Sequence, residues 1–247
     1  MATEIGPQFI EQTKYEYLTK SAQQQGVPQP PLEAPLDLGG DIRKLPSPDA
    51  IHTDLKRLIE ARTTTRKYKT SSITQEELAY LLWCTQGVKE ITGDNYATRR
   101  NVPSAGARHP FETFVLANRV DGLPVGVYRY LALEHKLEEY LSGERITGEL
   151  TSACANQEMV AEGAVTFFWV ADIARTTWRY GQRGYRYIFL DAGHVCQNLY
   201  LTAETIGCGV CAIAAYDDDK LNAVLKLDGE TMFVAYLAAL GKKLGSE

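Results

Sequence analysis

The chain reads as an α+β fold, with about five strands and about five helices arranged partly as a β-meander. Three observations carry that reading. Strand-type runs at 111–117, 126–130 and 135–141 succeed one another across short turns. The run 164–172 is apolar enough to be central in a sheet. The stretch 185–206 has the spacing of a long helix, apolar on more than one face, which buries it in a core or a subunit interface.

Residues 1–48 differ from the rest: a glutamine run at 23–25 and six prolines from Pro28 to Pro48 suit no regular core element. They read as an extended arm wrapped on the body or on a partner subunit, the alternative being a disordered tail. Residues 49–247 read as one domain. Ile51, Leu55, Leu58 and Ile59 have helical spacing over 50–61. Thr74 and Glu77 form a capping box, Ile73 staples onto Leu78, and Gly87 stops the helix. Residues 88–100 are polar, with a turn at 93–95. A helix is expected over about 147–155, strands at 210–215 and 231–240, and a short helix at 217–225 between them.

Bulk properties limit the function. The chain has 247 residues, 45% hydrophobic and 23% charged, with a formal net charge of −5. That balance argues against a partner held by nucleic-acid phosphates and gives no attraction to anionic membranes. The N-terminus lacks the basic and apolar regions of a signal peptide, and no window approaches the roughly 20 apolar residues of a spanning helix. A cytoplasmic protein is expected. The five cysteines read as buried free thiols. Cys208-Gly-Val-Cys211 is formally a C-x-x-C, but it follows a helix, enters a strand and has no second ligand pair, so neither redox nor zinc chemistry is expected.

Two loops carry the chemistry. In 101–114, Pro103 and Pro110 bracket Ser104, Ala105, Gly106, Ala107, Arg108 and His109. Small residues let backbone groups approach a flat ligand, and the prolines fix the loop's shape. Val102 stands where a G-x-S-x-G nucleophile motif needs glycine, which argues against hydrolysis at Ser104. The second loop, Arg62-Thr63-Thr64-Thr65-Arg66, supplies two cations and three hydroxyls that suit a phosphate, although such runs are usually solvated charge. Together they suggest a mononucleotide cofactor. Gly207-x-Gly209 lacks the third glycine and the preceding strand of a dinucleotide fingerprint. The Arg- and aromatic-rich run 175–187 suits gripping a peptide, carboxylate or ring, or equally a subunit interface. Asp191 and His194 are nearly one helical turn apart, but no further ligand pattern supports a metal.

In this order, these pieces resemble the nitroreductase superfamily of FMN proteins, particularly its SagB-type dehydrogenase branch, which includes peptide azoline dehydrogenases. The resemblance runs from Phe9–Tyr15 through the 62–66 and 103–110 loops, Gly126–Tyr130 and Arg183–Leu199 to Ala212–Asp217. It implies an α+β sandwich with a mostly antiparallel central sheet flanked by helices, an intertwined homodimer, and FMN at the interface. It implies that Arg62, Thr63, Thr64 and Arg66 hold the phosphate and ribityl chain, helped by Lys242 or Lys243. Pro103, Ser104, Ala105 and Gly106 would line the isoalloxazine edge. The backbone of Ala214 and Ala215 would approach the flavin N5, where the family usually has a Glu-Gly or similar pair. The azoline dehydrogenases use a Lys-Tyr pair in the region of Arg179-Tyr180; arginine is a poor general base, which leaves Tyr180 for proton transfer. The expected function is hydride transfer from NAD(P)H to a small electrophilic acceptor. The alternatives are azoline oxidation in a peptide and a non-catalytic flavin-binding scaffold.

Overall fold

The centre of the molecule is strand β6 (Val165–Asp172), whose residues 165–171 are all buried. Successive strand side chains point to opposite faces, so this apolar run requires cover on both sides. The computed structural model describes residues 5–12, 15–17, 25, 54–93, 96–143 and 145–244, and supplies that cover. Phe167 and Trp169 join one apolar cluster, and Phe168 and Val170 join the other.

In chain order the elements are α1 (Ile5–Gln12), α2 (Asp54–Ala61), α3 (Gln75–Gln86), β1 (Val88–Thr92), β2 (Ala97–Arg100), β3 (Phe111–Ala117), β4 (Gly126–Leu131) and β5 (Lys136–Ser142). They continue with α4 (Ile146–Ala153), α5 (Glu158–Glu162), β6, α6 (Ile173–Tyr180), α7 (Gly184–Thr205), β7 (Cys208–Ile213), α8 (Asp218–Val224) and β8 (Met232–Lys242). The main sheet is fully antiparallel, in the order β5-β4-β3-β6-β8-β7. Leu78, Leu81 and Leu82 of α3 and Ile188, Val195 and Leu199 of α7 cover one face. Leu150 of α4, Val160 of α5 and Leu221 of α8 cover the other. This is the α+β sandwich that the sequence predicts.

Several elements fall where expected. The capping box is formed: Glu77 N–H donates to Thr74 Oγ1 at 3.2 Å, and Thr74 N–H donates to Glu77 Oε2 at 3.0 Å. Strand β3 has the expected bounds, and α7 the expected length to within a residue. The element count does not hold: the described residues contain eight strands and eight α-helices. The polar stretch 88–100 is an antiparallel hairpin, β1–β2, with no residue buried on either strand, so no alternation marks it. Helix α5 is one turn long, too short to show a period. The strand expected at 210–215 is Cys208–Ile213, because its pairing with β8 starts at Cys208–Lys242 and ends at Ile213–Leu237.

Most of the arm expected at 1–48 lies outside the described residues. Within it, 5–12 is the helix α1, and Phe9 meets Phe189 of α7 edge-on at 5.8 Å. Residues 50–53 of the helix expected over 50–61 also lie outside. In α2, Leu55 and Ile59 remain about half exposed. No helix among the described residues is long and apolar enough to cross a membrane.

Candidate functional site

Helix α7 organises the site, because both loops dock against it. Its buried stripe of Ile188, Ala192, Val195, Leu199 and Ala203 faces the sheet. Asp191 and Tyr200 are nine residues apart, about two and a half turns at 3.6 residues per turn, so they occupy opposite flanks of that stripe.

On the first flank, Asp191 shapes the 103–110 loop. Ser104 Oγ donates to Asp191 Oδ2 at 2.6 Å, and Ala105 N–H donates to Oδ1 at 3.3 Å. His109 N–H donates back to Ser104 Oγ at 2.9 Å. Three of four consecutive residues have positive φ: Gly106 at 58°, Ala107 at 54° and His109 at 44°. Such backbone persists only where its surroundings hold it, and the buried Asp191 carboxylate is that hold. Burial raises the Asp191 pKa, and its bonds to Ser104 and Ala105 oppose the rise. The His109 ring is buried beside Arg100, which lowers its pKa to about 4 and keeps it neutral.

Tyr180 and Arg179, at the end of α6, close over this loop. A Cβ on Gly106 would collide with the Tyr180 hydroxyl and come within 3.1 Å of Arg179 Cδ, so only glycine admits this approach. The Arg179 guanidinium lies 5.6 Å from the Tyr180 ring centre, and its Nη1 donates to the Tyr96 hydroxyl at 3.3 Å. Pro103 is exposed beside Ser104.

On the second flank, the 62–66 segment covers the sheet edge at β7. Thr64 forms a parallel bridge with Val210, and Thr65 N–H donates to the Val210 carbonyl at 2.9 Å. Gly207 and Gly209, which form no dinucleotide motif, have structural roles. Gly207 takes φ 67° in the turn from α7 into β7, and a side chain on Gly209 would collide with Thr65. Tyr200 anchors this flank. Its ring lies 5.3 Å below the Arg62 guanidinium, its hydroxyl is 3.4 Å from Thr64 Oγ1, and it accepts a bond from Ala212 N–H at 3.0 Å. The sequence gives no expectation for Tyr200, whose only signal is its place on the helix opposite Asp191. Thr63 and Arg66 are exposed, and among the described residues neither Arg62 nor Arg66 pairs with a carboxylate.

The structure places Lys243 beside Glu204. Its ammonium is held by both carboxylate oxygens of Glu204, at 2.6 and 2.5 Å. Lys242 is likewise held by Glu77 and by the Ile206 carbonyl. Both charges are neutralised locally, leaving Arg62 and Arg66 as the uncompensated cations of the group.

Ala214 and Ala215 lie just beyond the last paired residues of β7 and are exposed. Gln157 Nε2 donates to the Ala215 carbonyl at 2.7 Å. Ala214 borders a cleft of 510 Å³ whose other small residues are Ala192, Gly193 and Ala235, with Phe189 and Tyr236 beside them. Small walls of this kind admit a flat ligand, and the volume is typical of a small-molecule site.

Cys208 and Cys211 belong to opposite apolar clusters, on opposite faces of β7, so they cannot pair. Burial raises both thiols, Cys208 to about 11. His194 is exposed, and Asp191 is engaged by the loop. Among the described residues no group of three or more His, Cys, Asp or Glu is placed to hold a metal.

Residues 59–242 match the family model described as Nitroreductase family. The chain belongs to the nitroreductase family. It is 34% identical over 188 residues to MJ1384 of Methanocaldococcus jannaschii, a protein named as a nitroreductase, covering 76% of this chain and 92% of that one. It is 30% identical over 148 residues to the trifolitoxin-processing protein TfxB of Rhizobium leguminosarum bv. trifolii, covering 57% of this chain and 40% of TfxB. It is 27% identical over 143 residues to the microcin B17-processing protein McbC of Escherichia coli, covering 56% of this chain and 53% of McbC. The chain thus spans about half or less of these processing proteins. Among solved structures it superposes on the E. coli microcin synthetase McbBCD complex with truncated pro-MccB17 bound, at TM-score 0.71 and 19% identity over 97% of this chain and 87% of that one. At that identity the likeness shows the fold alone.

These matches make the protein an oxidoreductase of the nitroreductase family and fit the SagB-type branch. For such a protein the division of the site matters. One chain places the 103–110 loop with Tyr180 on one flank of α7, and the 62–66 loop with the small-residue cleft on the other.

Proposed function

We propose that the chain is an FMN-dependent oxidoreductase that passes hydride from NAD(P)H to a small electrophilic acceptor. The observation that carries this reading is the second flank of α7. There two uncompensated arginines on a hydroxyl-rich loop flank strand β7, which runs from Val210 beside that loop to the small-residue cleft at Ala214. Arginine forks suit a phosphate, and a cleft bordered by Ala192, Gly193, Ala214 and Ala235 suits a planar ring. These residues fit FMN.

In this reading Arg62 and Arg66 hold the phosphate, with Thr63 and Thr64 beside the ribityl chain. Ala214 and Ala215 offer backbone donors at the mouth of the cleft, outside the sheet ladder. When bound, FMN supplies the two-electron chemistry, and the protein supplies binding, orientation and electrostatics. The loop residues Pro103, Ser104, Ala105 and Gly106 are pre-shaped by Asp191 to lie along a ring edge. They sit on the other flank of α7, so a homodimer completes the site by bringing the 103–110 loop of one copy to the cleft of the other. The half-exposed Leu55 and Ile59 of α2 would then have a partner to cover them. Tyr180 is the proton-transfer residue, and the Arg179 guanidinium lies against its ring. Residues 49–247 form the flavin-binding unit, with 1–48 as its arm. Donor and acceptor sharing one cleft gives ping-pong kinetics. The test is anaerobic mixing of the FMN-loaded protein with NADH or NADPH: bleaching of the flavin band supports the reading, and a band that persists with both overturns it.

A second reading is favoured by the similarity to McbC and TfxB: a peptide azoline dehydrogenase, in which the substrate ring would give up two electrons and two protons, FMN when bound would supply the two-electron chemistry, and oxygen would be the final acceptor, leaving as hydrogen peroxide. Tyr180→Phe should then lower the oxidation rate by about 10²–10⁴. An unchanged rate would remove Tyr180 from that role.

A further inference from the structure

Eleven residues border the 510 Å³ cleft, and ten of them lie between Phe189 and Tyr236, on α7, on β8 and around the connection from β7 to α8. The eleventh is Ile10, on α1. Helix α1 lies outside residues 59–242, which match the family model, so the family segment alone does not account for this wall.

Three features seat α1 on the body. Gly6 is buried. Phe9 meets Phe189 edge-on at 5.8 Å, and Phe189 itself borders the cleft. Ile10 is half-buried and packs on the apolar cluster that contains Ala192, Phe233 and Ala235, three further residues of the cleft wall. Consecutive helical side chains diverge by about 100°, so Phe9 hooks α7 while Ile10 turns to the cleft. Ile5, at the start of the helix, is 73% exposed and does not border the cleft.

Ile10 also differs in kind from much of the wall. Ala192, Gly193, Ala214 and Ala235 let a plane approach but offer it little contact. A β-branched side chain on a helix holds one preferred rotamer, so Ile10 presents a fixed apolar surface at small entropic cost. The part of it that remains exposed gains burial when the cleft is filled.

We propose that Ile10 is a flavin-contact residue, and that α1 supplies an apolar wall on which retention of FMN depends. This rests on the flavin ring lying in that cleft. Phe9 is then a positioning residue: it touches Phe189 without bordering the cleft, and it acts by holding α1 in place. The flavin site accordingly draws on the arm as well as on residues 49–247.

The test is titration of the flavin-free, full-length protein with FMN, followed by flavin fluorescence. Ile10→Ala should weaken FMN by about three- to tenfold, because it trims the apolar contact by up to three carbons of a half-buried side chain. Ile10→Val removes one of them, disturbs the helix least and should weaken FMN by about two- to fourfold. Phe9→Ala should weaken FMN in the same direction, and Ile5→Ala should leave it unchanged. Thermal melts taken without flavin verify that each variant keeps the fold. FMN affinity equal to the parent's in both Ile10 variants overturns the proposal, and so does an equal loss in Ile5→Ala, which would make the effect one of the helix in general. A Phe9→Ala protein that binds FMN as the parent does overturns the positioning role. A parent that takes up no FMN refutes the flavin reading and this assignment with it, whereas a parent that binds FMN beside indifferent Ile10 variants refutes this assignment alone.

Discussion

Replacing Asp191 by alanine tests how the 103–110 loop is built. The carboxylate accepts one short bond from Ser104, at 2.6 Å, and one long bond from Ala105, at 3.3 Å. A hydrogen bond to a charged group contributes about 1.5–3 kcal/mol, and a long one contributes less. Against this stands the cost of burying the charge, visible in the raised Asp191 pKa. The net loss for Asp191→Ala is therefore about 2 kcal/mol, which in a domain of this size lowers Tm by about 4–8 °C. Asp191→Asn keeps an acceptor for Ser104 and removes the buried charge, so it should lose less than half as much. Thermal unfolding followed by circular dichroism at pH 7 measures both. The assay has a second arm. Hydrogen exchange at the His109 amide, which donates to Ser104 Oγ, should speed up in Asp191→Ala while the amides of β6 stay protected. An Asp191→Ala protein that melts within a degree of the parent, with His109 exchange unchanged, would mean that the loop holds its positive-φ backbone without the carboxylate.

The same geometry sets three further outcomes. Gly106→Ala places a Cβ against the Tyr180 hydroxyl on backbone at φ 58°, so it should destabilise the protein by about 1–3 kcal/mol in urea unfolding. Pairing it with Tyr180→Phe, which removes that hydroxyl, should recover part of the loss; a double variant no more stable than Gly106→Ala would deny the collision. His109 titrates near 6.5 when unfolded and near 4 when folded, so its contribution to stability is full above pH 6.5 and is lost as pH falls toward 4. Replacing His109 by glutamine should flatten the stability–pH curve in that window, and an unaltered slope in equilibrium unfolding would show that another group sets it. Treatment with a thiol oxidant should produce no Cys208–Cys211 disulfide by mass spectrometry, because the two thiols lie on opposite faces of β7.

Much of the fold is legible in the residues because its signals are local. The Thr74–Glu77 box, the apolar run of β6 and the helical period of α7 each depend on neighbours within a few positions. The β1–β2 hairpin escapes such reading because both its faces are solvated, so only its turn glycine leaves a mark. The make-up of the two loops is also plain in the sequence, as small residues between prolines and cations among hydroxyls. Their relative placement is not. It depends on Asp191 and Tyr200 lying on opposite flanks of one helix, and each finds its loop only after the chain has folded back by 87 residues from Ser104 and 136 from Thr64. The same holds for Lys243. The family resemblance puts it near a phosphate, and its pairing with Glu204, 39 residues away, emerges only in the folded chain.

The most direct measurement is the flavin content of the purified protein. A phosphate site at Arg62 and Arg66 beside a ring cleft at Ala214 predicts an absorption spectrum of oxidised flavin, with the chromophore released by heat, identified as FMN and present at about one per chain. It also predicts that Arg62→Ala and Arg66→Ala each weaken FMN by about ten- to a hundredfold while the fold is kept, because each removes a charge-assisted bond to the phosphate. A colourless protein that takes up no added FMN, or one whose FMN affinity is unmoved by both substitutions, would contradict the site on the second flank of α7.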